Sequence, residues 1–178
     1  IRDNGVGFLD KNIESFNTLD SDHKIDKGCK GIGRLLWLKA FSRVEIYSTF
    51  KNKENKLVNK FFKFDETRGF IPVSDYTSNN TIIETTVTLI DFTGKYQKAT
   101  RKSADSIANS LLEHCLWYFV RAEGVPKIII KDGSEQINLN DLYDDYMHSS
   151  AHTETISIKE NNFDLIHLKF RASSSQKH

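Results

Sequence analysis

Two short stretches of this chain carry residue types whose spacing can do chemistry. The first, "DNGVGF", sets Asp3 ahead of Gly5 and Gly7 in alternation. A carboxylate only accepts hydrogen bonds. With two residues lacking side chains beside it, a flat heterocycle can approach and give that carboxylate an amino hydrogen. Such a site favours adenine, whose exocyclic amino group stands where guanine has a carbonyl. The second stretch, "DKGCKGIGRL", holds Gly28, Gly31 and Gly33, with Lys30 and Arg34 among them. A helix opening there presents free backbone N–H groups and its positive dipole end to phosphate. Base box, polar loop and phosphate box follow in that order, so the loop between them can close over a bound nucleotide as a lid.

The two commoner glycine loops do not fit. A P-loop needs G-x-x-x-x-G-K-[ST], and Gly28 is followed by Cys29, Lys30 and Gly31 with no Ser or Thr placed for Mg²⁺. A dinucleotide fingerprint reads G-x-G-x-x-G after a strand; here the order is reversed and a polar loop precedes it.

Each residue has a plainer reading too. Asp-Asn-Gly is a common turn, but its coupling to Gly28–Gly33 favours the adenine role for Asp3, Gly5 and Gly7. Gly28 and Gly31 can cap and start a helix, although the spaced glycines exceed what capping needs. Lys30 is a phosphate contact or a solvated loop lysine, and Arg34 faces phosphate or solvent. Cys29 is read as a spacer ahead of an activated thiol. His148 and His152, in "HSSAH", belong to a linker rather than a metal site. Trp117, Tyr118 and Phe119 follow helical packing rather than forming a stacking platform for nucleic acid.

Elements that could position these residues are legible from periodicity. Ile1-Arg2 is the tail of a strand. Residues 9–17 put Leu9, Ile13 and Phe16 on one helical face, with Asp10 as N-cap. A second helix opens at Gly31 and reaches Phe41, with Ile32, Leu35, Leu36 and Lys39 on one face, widened by Trp37, Ala40 and Phe41. Strands at 43–50 and 57–65 make a hairpin around the polar tip "KNKENK", and 81–92 is a long Ile/Val/Thr strand. After the basic turn "TGKYQKATRK", Ser103 caps a helix with Ile107, Leu111, Cys115 and Phe119 inward. A hairpin with a turn at Asp132-Gly133, a short acidic helix in "NDLYDDYM", and a last hairpin turning at Asn161-Asn162 complete the order. The fold class is α+β, a mostly antiparallel sheet covered by helices, with a domain boundary at about 140–152.

Composition bounds the function classes. The chain has 178 residues, 25 Lys and Arg against 24 Asp and Glu, and a formal net charge of +1. No global field therefore selects nucleic acid or an anionic membrane, and any anion site is local. The cysteines, Cys29 and Cys115, form no framework or metal pair, which points to a reducing, cytoplasmic compartment. No apolar run reaches membrane-spanning length, and no signal peptide opens the chain.

In their combination the motifs resemble the gyrase, heat-shock chaperone, histidine kinase and MutL (GHKL) superfamily of ATPases, which has the Bergerat fold. "DNGVGF" is similar to that family's D-x-G-x-G box and "GCKGIGRL" to its G-x-x-G-x-G lid box; "VEIYS" looks like the strand after the lid helix. "ETTVTL" resembles the later G-T-x-V-x-[LV] strand, which makes Thr85 the hydroxyl of the adenine water network, with Thr86 the alternative and Glu84 where the family has glycine. The resemblance covers residues 1–140 and favours the MutL, chaperone and MORC-like branch over histidine kinases. It implies a two-layer ATP-binding domain at 1–140, with helices on one face of the sheet. Residues 141–178 would be a linker and the start of a transducer-like second α/β domain.

What the resemblance implies for function is an ATP-dependent switch. ATP and Mg²⁺ order the lid, bring two ATPase domains together as a homodimer, and hydrolysis releases them to act on a nucleic-acid or protein client. The family carries its general base, a Glu, and its Mg²⁺-binding Asn on a helix before the D-x-G-x-G box. Both ends of the chain read as cuts through a longer protein, so both residues are expected ahead of Ile1. No catalytic or metal residue is assigned within the chain, which by itself is expected not to hydrolyse ATP and to bind it weakly. The rival readings are a nucleotide-gated module that never hydrolyses ATP and a histidine-kinase ATP domain.

Overall fold

Apolar residues alternate through residues 44–50 and 58–64, the period of a half-buried strand. In the computed structural model, which describes residues 1–18, 33–73, 81–100, 103–120, 125–146 and 152–167, these segments are neighbours in one sheet. Its strands are β1 (Arg2–Asp3), β2 (Phe41–Lys51), β3 (Leu57–Asp65), β4 (Gly69–Pro72) and β5 (Glu84–Phe92). They lie in the order β1-β5-β2-β3-β4, every pairing antiparallel. The α+β architecture expected from the sequence is the one observed.

Register turns the alternation into rows across the sheet. Val44 stands between Leu89 and Phe64, and Ile46 between Val87 and Phe62. Against these rows pack helices α1 (Asp10–Asn17) and α2 (Gly33–Ala40), through Phe16, Trp37 and Leu38. The Phe16 ring lies 5.4 Å from Phe62 and 5.3 Å from Phe64, edge-on to both. Edge-to-face aromatic pairs add roughly 0.5–1.5 kcal/mol beyond their buried area.

Both helices differ from the expected detail. The residue before α1 is Leu9, and no side chain caps the helix; Asp10 instead takes a hydrogen bond from Lys60 Nζ at 2.9 Å. In α2 the inward seam is Arg34, Trp37 and Leu38, while Leu35 and Leu36 are exposed. Counting apolar residues misplaced that seam because a basic residue occupies one of its positions. The segment read as a basic turn contains helix α3 (Gly94–Ala99), begun by Thr93, whose carbonyl accepts from Tyr96 and Gln97 N–H.

The chain divides into two compact units, Ile1–Thr100 and Arg101–His178. The change of character expected at 140–152 falls inside the second. There α4 (Ala104–Val120) is capped as expected, Ser106 N–H donating to Ser103 Oγ. Its buried residues are Ala104, Ala108, Leu112 and Phe119; of the expected stripe Phe119 is buried, Leu111 and Cys115 pack half-buried against the same core, and Ile107 is exposed. Around it stand β6 (Ile129–Asp132), β7 (Glu135–Asn138) and α5 (Leu139–Tyr146), with Leu139 fully buried.

The turn between β6 and β7 is Gly133-Ser134, with φ of +56° at Gly133, the sign that primed turns require. The last hairpin, β8 (His152–Ile158) with β9 (Asn161–His167), turns at Lys159-Glu160 and not at Asn161-Asn162. Lys159 takes the left-handed conformation there. The two asparagines are instead the first residues of β9.

Candidate functional site

β1 is two residues long and sits at the edge of the sheet. It is held by reciprocal bonds between Ile1 and Val87: the Ile1 amino group donates to Val87 O and Val87 N–H to Ile1 O, both at 2.8 Å. That register puts Asp3 opposite Thr85. Directly paired residues of an antiparallel ladder share a face, so Asp3 stands on the core face of the sheet, between the Ile46–Val87 row and the row of Phe50 and Val58.

The backbone then bends back on the aspartate. Gly5 N–H donates to Asp3 Oδ1 at 2.8 Å, and a Cβ on Gly5 would lie 2.9 Å from that oxygen. The bond fixes the carboxylate and uses one of its several acceptor positions; the residue is exposed, so the others are open to an outside donor. Gly7 has φ of +73°, and a Cβ there would meet Phe50 Cβ at 2.7 Å and Ser48 Oγ at 2.9 Å. Glycine at this position is thus demanded by the fold itself. On either side the turn is pinned: Asn12 Nδ2 donates to Gly7 O at 2.6 Å, and Phe8 N–H donates to Ser48 Oγ at 3.1 Å.

Beneath the turn lies a pair of buried hydroxyls. Ser48 and Thr85 are 2% and 3% exposed, and their oxygens are 2.9 Å apart. Thr85 is therefore the threonine on the Asp3 face; Thr86, half-buried, is paired with Arg2 and Tyr47 on the other. Glu84, at the position where the resembled family has glycine, is 3.7 Å from Arg2 Nε. Across the sheet, Ser48 is in register with Lys60, so Asp3, Thr85, Ser48 and Lys60 form one polar row. Lys60 Nζ reaches Asp10, and this hydrogen bond holds the Asp10 carboxyl below its ordinary pKa.

Ser48 is the residue that motif reading missed. Its signal was present in "VEIYS": alternation from Val44 and Ile46 puts a serine at a core-facing position. A buried hydroxyl at such a place needs partners, and only the register shows which.

The phosphate end is less complete. Gly28, Lys30 and Gly31, with Cys29, lie outside the described residues, as does His148. Gly33 is the first residue of α2, and a Cβ there would meet nothing within 4 Å. Arg34 is turned inward rather than to open solvent. It is 9% exposed, its Nη2 donates to Thr18 O at 2.8 Å, and its guanidinium lies 5.3 Å from the centre of the Phe16 ring. Burial pushes its pKa below the usual arginine value.

His152, read as linker, begins β8 opposite His167. Among the described residues no group of three or more His, Cys, Asp or Glu side chains is gathered to hold a metal ion, and no helix is long and apolar enough to cross a membrane. Compared with models of known protein families the chain matches none, and no curated protein matches it in sequence.

Proposed function

We propose that the unit Ile1–Thr100 is the adenine-recognising part of an ATP-binding domain of the GHKL type, working as an ATP-dependent conformational switch. The observation that carries the reading is the row at the sheet edge. An exposed carboxylate, Asp3, is fixed by Gly5 N–H and stands in register with the buried hydroxyls of Thr85 and Ser48. A carboxylate acceptor next to a hydroxyl matches the edge of adenine, which offers an amino donor beside a ring-nitrogen acceptor. Guanine presents the reverse order and is disfavoured.

In this reading Asp3 takes the amino hydrogen, Gly5 keeps the approach to it clear, Gly7 lets the turn close over Ser48 and Phe50, and Thr85 serves the ring nitrogen. The phosphates go to Gly28, Lys30, Gly31 and Gly33 at the start of α2. Bound ATP with Mg²⁺ supplies a transferable phosphoryl group and the charge that orders the segment between the boxes. A homodimer, a client and a cytoplasmic setting belong to the same proposal.

The test is a nitrogen–proton shift titration of the chain with ATP and with GTP, which reads weak binding directly. ATP is expected to move the amides of Gly5, Gly7, Phe8 and Thr85, with GTP leaving them in place. Asp3→Asn, which puts a donor beside the amino group, is expected to abolish the ATP response. Equal shifts with both nucleotides would defeat the adenine assignment.

A further inference from the structure

The two buried hydroxyls can be assigned donor and acceptor roles by counting protons. Ser48 Oγ receives Phe8 N–H at 3.1 Å and shares one hydrogen bond with Thr85 Oγ1 at 2.9 Å. Each hydroxyl has one proton to give and two lone pairs to offer. The pair therefore holds two protons for one internal bond, and neither hydroxyl makes a further donated hydrogen bond among the described residues.

Suppose first that Thr85 donates to Ser48. Both lone pairs of Ser48 are then filled, by Phe8 N–H and by Thr85, and the Ser48 proton is left over. Ser48 is 2% exposed and lies under the turn, where even a Cβ on Gly7 would come within 2.9 Å of its oxygen. A donor stranded there loses its hydration with nothing in return, at a cost of about 1–3 kcal/mol. In the opposite arrangement Ser48 donates to Thr85, and the proton left over belongs to Thr85. Thr85 is itself only 3% exposed, but it is in register with exposed Asp3 at the sheet edge, the side from which an acceptor can come.

We propose that Ser48 is a positioning residue of the base site. By accepting Phe8 N–H and donating to Thr85, it leaves Thr85 a proton donor beside the Asp3 acceptor. The inference rests on the adenine reading above and deepens it. Asp3 reads the amino group, and the Ser48-Thr85 pair reads the ring nitrogen next to it. Without Ser48 the Thr85 hydroxyl rotates freely and presents a lone pair as readily as a proton. The two halves of the recognition then come apart.

Two analogues separate them. Purine riboside triphosphate lacks the amino group, and 1-deaza-ATP has C–H in place of the ring nitrogen. Affinities of the full chain for these and for ATP are read by the same shift titration. The unmodified chain is expected to prefer ATP to both. In Ser48→Ala the preference for ATP over 1-deaza-ATP is expected to fall by about two- to threefold, the cost of fixing a free hydroxyl in one of its three staggered positions. The preference over purine riboside triphosphate, set by Asp3, is expected to persist. In a Thr85→Val background the Ser48 substitution should have no further effect on the 1-deaza preference.

An unchanged 1-deaza preference in Ser48→Ala overturns the proposal, as does an equal weakening of all three nucleotides, which is the mark of a merely structural serine. Both results leave the Asp3 assignment standing. Absence of any ATP-selective shift in the unmodified chain defeats the adenine reading and this inference with it. Should Ser48→Ala fail to fold, Ser48→Cys keeps the volume with a weak donor. It is expected to lose the 1-deaza preference in the same way, and retention of that preference overturns the proposal.

Discussion

The core face of the sheet has two kinds of row, and they are built on different principles. At one end Leu89, Val44 and Phe64, then Val87, Ile46 and Phe62, form apolar rows covered by Phe16, Trp37 and Leu38. Farther along, Asp3, Thr85, Ser48 and Lys60 form a polar row across β1, β5, β2 and β3, with buried Phe50 and half-buried Val58 on its far side. Packing is non-directional and tolerates reshuffling if volume is kept. Hydrogen bonds between hydroxyls fix atoms in place but contribute little net stability. The first kind holds the fold together, and the second gives up some of that burial to set a carboxylate and a hydroxyl in defined positions.

The largest break in this comparison is expected from Phe62→Ala. The ring is 1% exposed and touches Phe8, Phe16 and Phe70. Its loss should cost about 3–5 kcal/mol, read by denaturant unfolding, and remove most of the cooperative transition of the first unit. A loss below that of any substitution in the polar row would reverse the roles assigned to the two kinds of row.

Next come the glycines. Gly7→Ala must hold an L side chain at φ of +73° with its Cβ 2.7 Å from Phe50, a strain of about 1–3 kcal/mol before any repacking. Gly33→Ala meets open space and should leave stability within about 0.5 kcal/mol, while reducing any ATP-induced shifts if the phosphates come to that helix. Equal destabilisation by the two changes would undo the distinction between a glycine the fold requires and one it does not.

A smaller effect is expected within the polar row. Thr85→Val keeps the shape and removes the hydroxyl, stranding the Ser48 proton at a cost of about 1–3 kcal/mol. Thermal unfolding checks this. Thr86→Val, on the opposite face, is expected to change stability less than Thr85→Val does.

The smallest effect concerns the end of the row. Lys60 lowers the Asp10 pKa from its ordinary 3.8. A carboxyl lowered in the folded state stabilises that state above its unfolded value, and the contribution is lost as pH falls below 3.8 through the folded value. Lys60→Met should return the Asp10 titration, followed by carboxyl shifts in acid, towards its ordinary value. The unfolding midpoint at neutral pH should scarcely move, since an exposed pair holds little.

How much of this was legible in the sequence depends on the distance over which each feature is encoded. Hairpins and strands came from local alternation, and the Ser103 cap from its place before an apolar period. Arg34 was left open because local periodicity treats a charged residue as outward, whereas the Phe16 ring and Thr18 carbonyl give this one an inward site. On α4 the expected stripe faces the core at Leu111, Cys115 and Phe119, and the reading missed Ala104 and Ala108 because small residues weigh little in an apolar count.

By itself the sequence determined the class of fold, the glycine-aspartate turn and the candidate anion-binding helix start, all features of a few neighbouring residues. Only the tertiary structure decided that Thr85 and not Thr86 joins Asp3, and that Ser48 completes the row. Residues 3, 48 and 85 meet through the pairing of three strands, and a slip of one position would turn every side chain of a strand to the opposite face. Register of that kind is set by packing across the whole sheet, so no single stretch of the chain contains it.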